Sequence, residues 1–161
     1  MWEERLKFLD DFKDPYMQGQ EGKGVFLAGV VLGMVARGQA GKGGSIDAAP
    51  MFKQIHFGRI LRRDLRHLMG RVPELTRAYH LPYAEMIDSL CGKAGELLMK
   101  GEAKELGVDG NFAFSVAFLT APDHFWKIFK KRAEEDRSDE GQSDDEQQLA
   151  LFGNPDDGSG E

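Results

Sequence analysis

Residues 23–37 read KGVFLAGVVLGMVAR, and whether they form a helix or a strand decides the fold. Short apolar runs are ambiguous between the two. This run is longer than a usual strand and its apolar and polar residues do not alternate, so it reads as a helix. A helix that is apolar nearly all round belongs at the centre of a bundle. Gly29 and Gly33 lie four apart on one face. They would let a neighbouring helix approach closely, at some cost in helix propensity.

On the N-terminal side, Trp2, Leu6 and Leu9 recur at helical spacing, with Phe8 and Phe12 alongside. Asp14-Pro15 ends that element. On the C-terminal side, residues 39–45, QAGKGGS, form a glycine loop. It is not a phosphate loop. Gly41-Lys42 is followed by Gly43 where Ser or Thr is required, Ala36 occupies the position of the first glycine, and a helix precedes where a strand is needed.

Residues 51–72, MFKQIHFGRILRRDLRHLMGRV, then read as one amphipathic helix. At roughly 100° per residue, Phe57, Leu61, Leu65, Leu68 and Val72 share a face toward the core. Arg59, Arg62, Arg63 and Arg66 share the opposite one, with Asp64 off the arginine row. Most charge runs on helices are solvated faces, but those mix signs. A row of arginines alone suits phosphate, which guanidinium binds as a planar fork.

Residues 74–79 form a helical turn, and Pro82 opens a helix to about Lys100 with Ile87, Leu90, Cys91, Ala94, Leu97 and Leu98 inward. Asp109 is the expected cap of a last helix that turns Phe112, Val116 and Leu119 to the core. Pro122 begins its second piece, with Phe125, Ile128 and Phe129 inward and Lys127, Lys130, Lys131 and Arg132 as a second basic cluster. Cations near a helix C-terminus also favour the dipole, so that cluster has a structural reading as good as the binding one. The expected architecture is all-α: a compact bundle of about five helices over residues 1–133, and a disordered acidic tail over 134–161.

The chain of 161 residues has a net charge of −6, which splits unevenly. Residues 1–133 hold 20 Lys and Arg against 16 Asp and Glu, a net +4, while residues 134–161 carry −10. A basic body of this kind points to anionic partners. The single Cys91 excludes a disulfide framework and fits a reducing compartment, the cytoplasm. The opening MWEERLKFLDDF is too charged for a secretory signal, and the longest apolar run, Val25 to Ala36, is too short to span a bilayer, so no membrane is expected.

No catalytic or metal-binding motif stands out, and no cofactor is expected. His56 and His67 are eleven residues apart, roughly 16 Å along a helix, and cannot share an ion. His80 and His124 form no hydrolase pairing, and Glu85 with Asp88 is an ordinary solvated pair. Cys91 on an apolar stripe reads as a structural thiol.

Three segments together carry a resemblance: Gly22–Gly33, Pro50–Ile55 with the arginine stretch behind it, and Asn111–Phe114. Over about residues 20–130 the chain resembles the C-terminal helical region of the large subunit of type I-B CRISPR Cascade complexes. It starts just ahead of that region without a large N-terminal domain. That matches the separate small subunit, which in this family arises by internal translation within the large-subunit gene. The resemblance implies a non-catalytic helical subunit present in several copies, partnered by the large subunit, the backbone subunits and other copies of itself. It implies support of the guide RNA–target hybrid and of displaced DNA through backbone contacts, sequence being read by guide pairing. A protein–protein adaptor whose arginines meet acidic protein surface is the alternative. In the tail, Gln148-Leu149-Ala150-Leu151-Phe152 resembles the bacterial sliding-clamp-binding peptide.

Overall fold

A computed structural model describes residues 1–129. Its centre is the helix α3, Gln20–Ala40, in which every residue from Gly24 to Ala36 is buried. Before it come α1, Trp2–Arg5, a 3-10 turn at Lys7–Asp11, and α2, Pro15–Gln18. Asp14 caps α2, its carboxylate accepting from the Tyr16 amide at 3.0 Å, and Pro15 fills the first helical position. After it come α4, Pro50–Lys53; α5, Arg62–Gly70; α6, Val72–Ala78; α7, Ala84–Leu98; α8, Gly107–Leu119; and α9, residues 121–129. The architecture is the all-α bundle expected, with more and shorter helices. Among the described residues there is no strand, only an isolated antiparallel bridge between Leu61 and Glu105. None of these helices is long and apolar enough to cross a membrane.

Helices α7 and α8 flank α3. The close approach expected at Gly29 and Gly33 is made by α8. A Cβ at Gly29 would sit 2.7 Å from the Phe114 carbonyl oxygen and 2.8 Å from the Ala117 Cβ, and one at Gly33 would strike the Phe118 carbonyl. At the other end, a Cβ at Gly24 would meet the Leu98 amide at 2.9 Å. Backbone thus packs on backbone at both flanks of α3, and only glycine permits it.

Three expectations fail here. The stretch 51–72 is not one helix. It turns through α4, runs irregularly from 54 to 61 and becomes helical again only at Arg62. The irregular part is held by the chain around 104–111. The Ile60 amide donates to the Asn111 side-chain oxygen at 3.0 Å and Asn111 donates to the Gly58 carbonyl at 3.0 Å. The Leu106 amide donates to Ile60 and the Arg62 amide to Lys104. These long-range bonds satisfy the backbone groups that a continuous helix would have paired within itself. The first element, read as a helix to Phe12, is one α turn followed by a 3-10 turn.

The third failure concerns α8. Asp109 lies inside its first turn and does not cap it, and Val116 and Leu119 are exposed, with Phe112 69% exposed. The buried residues are Gly110, Ala113, Phe114, Ala117 and Phe118. A helix this apolar on every side leaves periodicity no contrast to read. The small residues face the glycines of α3, because only they allow the close contact.

Candidate nucleic-acid and protein interfaces

The four arginines read as one row do not form one. Arg62 is 7% exposed. Its Nε donates to the Ala103 carbonyl at 2.6 Å and one terminal nitrogen to the Leu98 carbonyl at 2.9 Å, while the other meets the Glu21 carboxylate. Leu98 ends α7 and Glu21 sits in the first turn of α3. The cation therefore closes the negative end of one helix and the anion lies at the positive end of another. Arg62 is a pin between two helices and is not available to a ligand. Nothing in the local spacing signals this, because its partners lie 36 to 41 residues away.

Arg59 precedes α5 and its Nε donates to Glu105 at 2.8 Å, a pairing that raises its pKa. Both side chains remain at least half exposed. Arg63 and Arg66 stand exposed on the outer side of α5. The Arg63 side chain is 84% exposed, with Asp64 3.8 Å from its Nε. Arg66 has no ion pair among the described residues. Of the second cluster, Lys127 is exposed and its Nζ lies 5.8 Å from the Phe8 ring centre. Lys130, Lys131, Arg132 and the tail, with Gln148–Phe152, lie outside the described residues.

Burial shifts two titratable side chains that the sequence singled out, His124 and Cys91. His124 packs between the Phe8 and Phe26 rings, and burial pushes its pKa below the usual range. Cys91 is half-buried, its thiol donating to the Met69 carbonyl at 3.4 Å, and burial pushes its pKa up to about 11. That is the opposite of what a nucleophilic thiol needs. The Thr76 hydroxyl reaches Asp88 at 3.3 Å. Among the described residues no group of three or more His, Cys, Asp and Glu could hold a metal ion.

The outer side of α8 is an apolar row. Val108 is 85% exposed, and Phe112, Val116 and Leu119 continue it at spacings of four, four and three residues.

The described residues thus form an all-α bundle with an exposed apolar row on α8 and exposed arginines on α5. Residues 2–132 match the family described as the CRISPR-associated protein TM1802 (cas_TM1802) C-terminal domain, and the chain belongs to that family. It is accordingly a CRISPR-associated protein. No curated protein and no solved structure matches the chain.

Proposed function

We propose that the chain is a non-catalytic small subunit of a CRISPR RNA-guided DNA surveillance complex of the type I-B Cascade kind. In this reading it works in the cytoplasm beside the large and backbone subunits and further copies of itself. It supports the guide–target hybrid and the displaced strand by gripping sugar–phosphate backbone. The observation that carries the reading is the pair Arg63 and Arg66, both exposed on the outer side of α5 in a CRISPR-associated family member, with Arg66 in no ion pair among the described residues and Arg63 met only by the exposed Asp64 at 3.8 Å. Arg59 joins them, because an exposed ion pair with Glu105 is worth no more than about 1 kcal/mol and a phosphate can take its place. Three phosphate contacts give a salt slope of only about −2 to −3. One copy alone binds feebly, and several held in a row gain by roughly 10²–10⁴ through effective concentration.

The test is the triple variant Arg59→Ala, Arg63→Ala, Arg66→Ala assembled into the complex. DNA affinity should fall and its dependence on salt should flatten. Unchanged affinity and slope would reject the surface. Arg62 is left out because removing it tests the fold.

The α8 row favours a second reading, a protein–protein adaptor without nucleic-acid contact. Its four side chains supply about half of one side of a standard interface at most, so they serve a contact completed by the rest of an assembly. If Phe112→Asp abolishes incorporation into the complex while the arginine triple variant leaves DNA binding intact, the adaptor reading stands.

A further inference from the structure

Residues of α5, α6 and α7 line an open groove of about 830 Å³. Met69, Leu98 and Met99 supply apolar walls, with Met99 82% exposed, and Cys91 lies between them. Gly92 and Gly95 form the floor, and a Cβ at either would meet nothing within 4 Å. Arg66 stands on the α5 rim, with Arg63 on the same helix. On the α7 rim, Glu96 is paired with Lys93, while Asp88 meets only the neutral Thr76 hydroxyl and keeps its charge. The positive charge at the groove is therefore confined to its α5 side, at Arg66.

We propose that this groove is the docking site for the chain's own segment Gln148–Phe152. Three observations select that occupant. The first is chemistry. Leu149, Ala150, Leu151 and Phe152 form an apolar run in a segment that is otherwise acidic, with Asp144, Asp145 and Glu146 just before it. An apolar run seated between Met69 and Met99 places those acids where they can reach Arg63 and Arg66. The exposed row on α8 offers no such match, since the charged side chain within it is Asp109.

The second is length. Along α7 the groove runs from Asp88 to Met99, roughly 16 Å at helical rise, and five extended residues also span about 16 Å. The third is reach. Leu149 lies twenty positions beyond Phe129, a span of up to about 65 Å when extended, more than the width of a domain this size. At the millimolar effective concentration of a short tether, a segment with a dissociation constant of about 100 µM is bound roughly nine-tenths of the time.

Docking covers the guanidiniums in the free subunit, and a phosphate chain must displace the acids to reach them. This second step rests on the nucleic-acid reading above; groove occupancy does not.

Cys91, the chain's one cysteine, lines the groove and reports on it directly. Alkylation by iodoacetamide at fixed pH is compared between the full chain and the full-length variant Leu151→Asp, Phe152→Asp. The variant should react about tenfold faster, as expected from that occupancy. The methyl resonances of Met69 and Met99 should shift with it. Equal rates and unmoved methyls would overturn the proposal. Protection that grows with protein concentration would overturn docking within one chain in favour of docking between copies. Separately, Asp144→Asn, Asp145→Asn and Glu146→Gln should raise the DNA affinity of the free subunit several-fold. If Cys91 is protected yet this charge variant binds DNA no better, docking holds and the nucleic-acid reading fails.

Discussion

Arg62 and Glu21 face each other across the seam where the end of α7 meets the start of α3, packed beneath Gly101. A Cβ at Gly101 would strike both partners, so a larger residue there would have to displace the ends of these two side chains. The pair closes two helix ends at once. It also ties the loop at Ala103 to the core through the Arg62 Nε.

Arg62→Ala should destabilise the bundle by about 3–5 kcal/mol, since it leaves the Glu21 charge and two carbonyls without their partner. At roughly 2–4 °C per kcal/mol for a chain of this size, the thermal midpoint should drop by about 10 °C or more. Differential scanning calorimetry measures it. A change below about 1 kcal/mol would mean that the buried cation is dispensable.

Gly33→Val should cost at least about 1–3 kcal/mol, because the added carbons meet the Phe118 carbonyl and the Ala121 side chain, and neither can swing away. Gly92→Ala meets open space inside α7 and should stabilise the chain by about 0.5–1 kcal/mol, alanine being the better helix former. Paired urea titrations of the two variants separate a packing effect from a general intolerance of helical substitutions.

Phe112→Asp should leave the thermal midpoint within about 2 °C of the parent, because the ring already faces solvent. The same change in Phe114, which is fully buried, should unfold the domain. Circular dichroism melts of both variants test the reversal of the α8 face.

His124 gives the stability a pH dependence of definite sign. Its pKa in the folded state lies below the ordinary 6.5, chiefly through burial, with Lys127 acting in the same direction and Asp123 opposing. The unfolded chain therefore takes up the proton first as pH falls. The contribution is complete above about pH 6.5 and is lost progressively below it. His124→Phe keeps a ring beside Phe8 and Phe26 and should reduce the fall in thermal midpoint between pH 7.5 and 5.5. An unaltered pH profile would exclude His124 as its source.

The amino-acid sequence by itself determined what is local. The apolar run at 23–37 specified a central helix, Gly29 and Gly33 specified where its neighbour comes closest, and Asp14-Pro15 and Thr120-Ala121-Pro122 marked real boundaries. Each depends on spacing within a turn or two, or on glycine and proline stereochemistry. Only the tertiary structure decided which arginines are free and which side of α8 faces out. Helical phase placed Arg62 among the solvated residues, yet a carbonyl 36 residues away and a carboxylate on α3 draw it inside. Phase placed Phe112 inside, yet the side chains that meet Gly29 and Gly33 of α3 at that distance are Ala117 and Ala121. In both cases the deciding contact is made by residues far away in the chain, and its energy exceeds the preference that helical periodicity can express.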